Sequence, residues 1–397
     1  MTGVENASAG PAAGHSIHVI GAGLIGVSIA LAWQAQAGLV TVEDIDPARA
    51  HSIAERYGWT VRTGEMSTTG DGAEPAPDIV VVAIPPARGS DGVLLAAARR
   101  YVRSTVIDVS SVKTHIHAEL ETFRPQLSNI VLTHPLAGST TQGPADADAS
   151  LFTGRVWLLI ADAAVEPARV TLVEGFVRLL GAVPIRISAA RHDAALATTS
   201  HLPQLTASAL ASLLPSLGVD VGQLAGPGLV DMTRLAASPT PMWVDIALAN
   251  REPLGAALDR LIETLSQVRG ALSGSDQASA IASLAALLDA GRDGRSLLAA
   301  KHPGLRGRGT GQRPANAVGA DVPVQGYVWV QVHLRDQPGQ LSAVLAAAAE
   351  ANVNVEDLRL EHATHAAAGT LSLAVAGLEA PRLWAVLHAN ALGLPLE

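Results

Sequence analysis

Four short segments carry residue types suited to chemistry. Gly21-Ala22-Gly23-Leu24-Ile25-Gly26 has the G-x-G-x-x-G spacing, directly after the apolar run Ile17-His18-Val19-Ile20. At a strand-to-helix turn, Gly21 permits the tight turn, Gly23 lets backbone approach a pyrophosphate, and Gly26 lets helix and strand pack closely. The helix that opens at Leu24 and Ile25 offers its free N–H groups to that anion. Asp44 lies 23 residues beyond Gly21, close to the roughly 20 expected of an acid that binds a ribose. Glu43 and Asp46 compete for this role. A carboxylate there accepts ribose hydroxyls and repels a 2′-phosphate, so the expected cofactor is NAD rather than NADP. The alternative is a purely structural glycine turn. The other three segments are Asp108-Val109-Ser110-Ser111-Val112-Lys113, Thr133-His134-Pro135-Leu136-Ala137-Gly138-Ser139 and Asp231-Met232-Thr233-Arg234. Strand carboxyl ends are where open α/β sheets bind ligands, and a histidine there can reach a nicotinamide. A lone buried arginine is costly unless it meets an anion, which makes Arg234 a candidate anion ligand.

Each candidate also has a plainer reading. His134 can be a satisfied polar residue at a strand end, and Ser111 a turn residue or helix N-cap. Arg234 can cap a helix or pair with Asp231. Lys113 reads as a solvated helix residue. His115 and His117 do not share a helix face and make poor metal ligands, so no metal is expected. The tryptophans read as core or interface.

The elements that position these segments follow from periodicity. Residues 1–14 are small and polar and read as a mobile tail. Strands are expected at Ile17–Ile20, Val40–Val42, Ile79–Ile84, Thr105–Val109, Ile130–Thr133, Val156–Ile160 and Val183–Ile187, with helical stretches between most of them. That alternation predicts a parallel, Rossmann-type sheet with right-handed crossovers over 15–188. Strands then stop. Residues 189–300 are rich in Ala and Leu at helical spacing, with helices expected at Ala194–Leu214, Gly228–Ala236, Met242–Asn250, Pro253–Leu272 and Gln277–Leu288. This reads as a second, all-α domain. Residues 301–325 read as a linker. Residues 326–397 read βαββαβ, a small α+β ferredoxin-like unit that ends in a short strand at Gly393–Glu397.

Composition sets the outer bounds. The chain has 397 residues, 48% of them hydrophobic, and a net charge of −9, which predicts several folded domains. The acidic balance argues against a nucleic-acid partner. The absence of cysteine excludes disulfides, thiolate nucleophiles and Cys-ligated metals. No run of about 18 apolar residues is long enough to span a bilayer. No signal peptide is visible, so a cytoplasmic protein is expected. Lys113 and Lys301 are the only two lysines, which limits any mechanism that needs one.

Taken in order, these segments resemble the prephenate/arogenate dehydrogenases of tyrosine biosynthesis. The family pattern has a glycine fingerprint, D-V-x-S-V-K, H-P-x-A-G-S, H-D…S-H-L-P, and D-x-T-R ending near P-x-M-W. Here these are Gly21–Gly26, Asp108–Lys113, His134–Ser139, His192-Asp193 with Ser200–Pro203, and Asp231–Arg234 with Trp243. The segment Asp336-Gln337-Pro338-Gly339-Gln340-Leu341 resembles an ACT domain. The resemblance implies NAD-dependent oxidative decarboxylation of prephenate, or alternatively of arogenate. It implies that His134 accepts the proton of the substrate's C4 hydroxyl and that Ser111 hydrogen-bonds that hydroxyl or His134. Arg234 would hold the ring carboxylate, and His201 would shape the substrate end of the cleft. Many members carry a second histidine after S-H-L-P; here the residue is Gln204, near the substrate side chain, which leaves prephenate against arogenate open. The implied partners are a second copy of the chain and an amino-acid effector, with tyrosine favoured. Two other readings compete. A β-hydroxyacid dehydrogenase or imine reductase shares the architecture, but the former takes a catalytic lysine from the helical region, and 189–300 contains none. A non-catalytic sensor of NAD and an amino acid is the other.

Overall fold

A computed structural model describes residues 12, 14–62, 75–85, 90–123, 127–137, 143–160, 165–218, 221–301, 327–335, 337–362 and 368–390. The expected tail and linker fall almost wholly outside these, as do Gly138, Ser139, Asp336 and the expected last strand. Two units are present, Met1–Arg260 and Leu261–Glu397.

Short, largely apolar runs form the strands of the first unit, and the central ones are buried, as strands covered on both faces require. They are β1 (Ser16–Ile20), β2 (Leu39–Glu43), β3 (Thr60–Val61), β4 (Ile79–Val82), β5 (Thr105–Asp108), β6 (Ile130–Pro135), β7 (Val156–Ile160) and β8 (Val183–Ile187). They form one sheet in the order β3-β2-β1-β4-β5-β6-β7-β8. The first six follow the doubly wound dinucleotide-binding order, and the strand order reverses between β1 and β4, which run parallel, where such sheets open a crevice. One expectation is corrected. The sheet is not parallel throughout, because β7 runs antiparallel to β6. A parallel crossover takes a dozen or more residues and usually a helix. Among the described residues between β6 and β7, the only helical piece is the 3-10 turn Pro144–Asp146, so the chain turns back instead of crossing over. The two-residue β3 was too short to show periodicity.

Helices cover both faces. Ile17, Val19, Val27, Ile29, Trp157 and Phe176 belong to one buried cluster, and Val80, Leu94, Tyr101, Ile116 and Leu132 to the other. Trp157 sits wholly inside, as expected of a core tryptophan.

After β8, Ser188 caps the helix Ala189–Leu196 by accepting the Arg191 N–H, so this helix starts earlier than the apolar spacing alone suggests. A π turn, Ala197–His201, follows, then the helix Leu202–Ser212. Pro203 lacks an N–H and crowds the preceding turn, which a π bulge relieves. Helices Pro227–Thr233, Thr240–Ala249, Arg251–Ser273 and Gln277–Lys301 complete the region. The last runs past the expected Leu288, through Gly291 and Gly294. No helix among the described residues is long and apolar enough to cross a membrane.

The C-terminal residues form β9 (Tyr327–Arg335), β10 (Val355–His362) and β11 (Ala368–Ala376), with helices Gln340–Glu350 and Ala380–Ala389. The sheet order is β10-β11-β9, antiparallel. Val330, Val332, Leu371 and Leu373 pack against Val344, Leu383 and Leu387 of the two helices.

Candidate active site

The glycine turn lies at the carboxyl end of β1. Gly21 has φ +107°, and a Cβ there would run into the Ala83 carbonyl oxygen; one on Gly26 would run into the Gly21 carbonyl. Both are glycine for steric reasons. Gly23 differs, since a Cβ there would meet nothing within 4 Å. It is the N-cap of the helix Leu24–Gln34 and gives it no side-chain cap. The half-buried Leu24 and Ile25 bring the first-turn N–H groups to that open space. A bare helix start over an open glycine is the cradle that a pyrophosphate needs.

Three acids compete beyond β2, and their contacts separate them. Glu43 binds the Arg100 guanidinium at 3.0 Å and lies 3.4 Å from His18 Nε2. Asp46 caps the helix Pro47–Tyr57, accepting the Ala48 and Arg49 N–H groups. Asp44 reaches back to the glycine turn, where its Oδ2 accepts the Ala22 N–H at 2.7 Å. Its Oδ1 accepts the Asp46 N–H at 2.9 Å and faces Arg49 at 3.5 Å. Asp44 is thus the acid fixed against the fingerprint loop, with spare lone pairs for hydroxyl donors.

His134 is the fifth residue of β6, half-buried. Its Nδ1 lies 2.9 Å from His192 Nε2, and His192 Nδ1 lies 2.7 Å from Asp193 Oδ1. The Asp193 carboxylate also accepts the Lys113 N–H at 2.9 Å and the Thr114 N–H at 2.7 Å. Burial opposes its ionisation, but hydrogen bonds from His192, Thr114 and Lys113 outweigh this and hold the carboxyl below its ordinary range. An anionic Asp193 only accepts, so His192 donates through Nδ1. In the neutral ring His192 Nε2 then accepts from His134 Nδ1–H. His134 is left with its lone pair on Nε2, the form a general base needs. Burial first, then the Lys113 ammonium, His192 and His201, push the His134 pKa well below 6.5.

Lys113 is not the solvated helix residue that its sequence position suggested. Its side chain is fully buried, with Nζ 2.5 Å from Asp108 Oδ2 and 2.9 Å from Ser110 Oγ. Helix Thr114–Glu121 starts only after Lys113, so the lysine lies in the turn and points inward. Asp108 Oδ1 accepts the Thr133 N–H, and the Asp108 carbonyl accepts the Thr133 hydroxyl. This cluster clamps the residue next to His134. Ser110 rather than Ser111 supplies its hydroxyl; Ser111 lies one residue further on, half-buried.

The helical region contributes His201, Gln204 and Asn250, all nearly fully buried. His201 closes the π turn, its ring edge-on to Trp243 at 6.1 Å between centroids. Asn250 Nδ2 lies 2.9 Å from both the Asp193 carbonyl and His201 Nδ1. Gln204 Nε2 donates to the Leu235 carbonyl at 2.8 Å, tying it to the turn that opens at Arg234. Arg234 itself is exposed, so the burial argument made for it from sequence does not apply. The preceding helix Pro227–Thr233 buries no residue. The structure therefore joins His134, His192, Asp193, His201 and Asn250 by direct contacts. Asp108, Lys113 and Asn250 were not marked as site residues in the sequence. A cavity of about 610 Å³ between Asp78, Arg103 and Arg169 lies at the opposite, amino-terminal edge of β4 and β5 and holds none of these groups.

Comparison with known proteins places the chain in a family. Residues 29–186 match the profile of the prephenate dehydrogenase nucleotide-binding domain, and 188–288 that of the prephenate dehydrogenase dimerization domain. A cyclohexadienyl dehydrogenase of Zymomonas mobilis is 30% identical over 268 residues, covering 66% of this chain and 89% of that protein. The probable prephenate dehydrogenase NovF of Streptomyces niveus is 29% identical over 259 residues, 64% and 68% of the two chains. In fold, the chain resembles the prephenate dehydrogenase of A. aeolicus, solved with hydroxyphenyl propionate and NAD+. The TM-score is 0.61 at 24% identity, covering 70% of this chain and 98% of that one.

Proposed function

The chain belongs to the prephenate dehydrogenase family, and from that premise we propose that it is an NAD-dependent prephenate dehydrogenase whose general base is His134. The observation that carries the reading is the Asp193–His192–His134 chain, which leaves a neutral His134 with a free Nε2 lone pair. Bound NAD would supply the acceptor for the hydride that leaves C4 of the substrate. Gly23 and the N–H groups of Leu24, Ile25 and Gly26 would hold its pyrophosphate, and Asp44 its ribose hydroxyls. His134 Nε2 takes the C4 hydroxyl proton as the C4–H bond breaks. The C1 carboxylate then leaves as CO2, its bonding electrons enter the ring, and the oxygen takes the proton back from His134. The product is 4-hydroxyphenylpyruvate, and aromatisation drives the loss of CO2. Ser111 supports the hydroxyl, and Arg234 pairs with the ring carboxylate through its planar fork.

Arogenate is a second substrate reading, favoured by one observation. Gln204 Nε2 is committed to Leu235, and Oε1 is a buried acceptor with no partner, the polarity an ammonium group prefers. The deciding experiment is the pair of kcat/KM values for prephenate and arogenate with NAD. Absence of NADH formation with both overturns the enzyme reading.

Two further assignments belong to this reading. The chain forms a homodimer through its helical region, in keeping with the matched dimerization profile and with exposed Ile262, Leu265, Ile281 and Leu288. The C-terminal unit is an ACT-like regulatory domain for an amino acid, tyrosine first. Support comes from its described βαββα order, with β11 between β10 and β9, and from Gly339, whose φ of +92° opens the helix Gln340–Glu350.

A further inference from the structure

We propose that Asn250 is a positioning residue that locks His201 as a neutral hydrogen-bond donor toward the substrate. The proposal rests on the reading above for the location of substrate, and on geometry for the rest. Asn250 ends the helix Thr240–Ala249 as its C-cap and is nearly fully buried. Its Nδ2 lies 2.9 Å from the Asp193 backbone carbonyl. A carbonyl only accepts, so the amide orientation is forced, because the flipped amide would set its oxygen against the Asp193 carbonyl oxygen. The same Nδ2 lies 2.9 Å from His201 Nδ1. That nitrogen must therefore be the acceptor, and the ring proton sits on Nε2.

Protonating His201 would bring an N–H at Nδ1 against the Nδ2–H of Asn250. The groups around the ring set its charge. Burial is the largest influence and His192 adds to it, while the Asp193 carboxylate opposes both, leaving His201 at about 4. At neutral pH it donates without carrying charge. His134 and His201 thus hold opposite tautomers, a base with a bare Nε2 and a donor with Nε2–H. Asp193 organises both, through its carboxylate toward His192 and its carbonyl toward Asn250. The substrate group opposite His201 Nε2 is then an acceptor, a carboxylate or ketone oxygen.

The test is selective 15N-histidine NMR on the full-length enzyme, with His201→Gln assigning the resonance, beside kinetics of Asn250→Ala. At pH 7 wild-type His201 is expected to be protonated at Nε2 and bare at Nδ1. In Asn250→Ala the ring should populate both tautomers, and KM should rise about tenfold, the worth of one hydrogen bond, with kcat nearly kept. Wild-type His201 protonated at Nδ1 overturns the lock whatever the kinetics, including where Asn250→Ala does not fold. A wild-type Nε2–H together with unchanged KM in both Asn250→Ala and His201→Gln removes His201 from the substrate and overturns the assignment it rests on.

Discussion

At the scale of single residues, the base and the anion ligand should fail differently. His134→Asn keeps a polar group but has no basic nitrogen. Loss of general-base catalysis lowers rates by about 10²–10⁴-fold, so kcat should fall by that order with KM largely kept. Arg234→Gln removes binding present in ground and transition states alike, so it should raise KM instead. Steady-state kinetics of the two variants separate these outcomes, and near-normal kcat in His134→Asn sinks the mechanism. His201 gives a pH signature in stability. Its folded pKa of about 4 lies below the ordinary 6.5, so between these values the unfolded chain binds the extra proton. Stability is full above 6.5, falls as pH drops through this window, and levels off below about 4. The His201 share of this loss is roughly 3 kcal/mol. The drop in stability from pH 7 to pH 4.5, measured by urea unfolding, should be smaller by about that amount in His201→Gln, while His134, also pushed well below 6.5, keeps its own share. The histidines of this relay were legible because short motifs carry them. Asn250 was not, because it meets His201 across 49 residues of chain and no local pattern marks it.

At the scale of elements, the clamp between β5 and β6 decides how firmly His134 is held. Lys113 and Asp108 form a buried ion pair, and Asp108 also takes the Thr133 N–H. Lys113→Met leaves a carboxylate buried without its cation, which costs about 3–5 kcal/mol. In the double variant with Asp108→Asn no charge remains, and the amide oxygen still accepts from Thr133, so most of that stability should return. Urea midpoints for wild type, single and double variants give the answer; a single variant as stable as wild type would show that the pair holds nothing. The strands were readable because buried strands are apolar throughout. The direction of β7 was not, since periodicity carries no sense of direction and the reversal shows only in the lack of a crossover helix among the described residues between β6 and β7. Lys113 misled for a related reason. A lysine after a polar turn looks solvated until its partner, five residues upstream on a neighbouring strand end, is placed beside it.

At the scale of the whole molecule, the exposed apolar side chains of the long helices need a partner. Ile262, Leu265 and Leu272 lie on one helix, and Ile281, Leu288 and Leu297 on the next, each more than half exposed. A two-fold dimer buries matching faces on both chains. Light scattering at low micromolar concentration should give twice the mass of 40.7 kDa; a monomer alone would leave these faces unexplained. The regulatory reading makes the last prediction. If tyrosine binds the C-terminal unit, it must favour one state of the enzyme over another in order to alter activity, because equal affinity for both shifts nothing. Tyrosine also shares its phenol ring with the reaction product and can compete at the active site, so inhibition alone does not locate it. The full chain and a chain ending at Arg306 should therefore be titrated with tyrosine side by side. Loss of inhibition in the shorter chain, at unchanged kcat and KM, assigns the effector to residues beyond 306. Inhibition of equal strength in both assigns it to the active site and removes the regulatory role from the C-terminal unit.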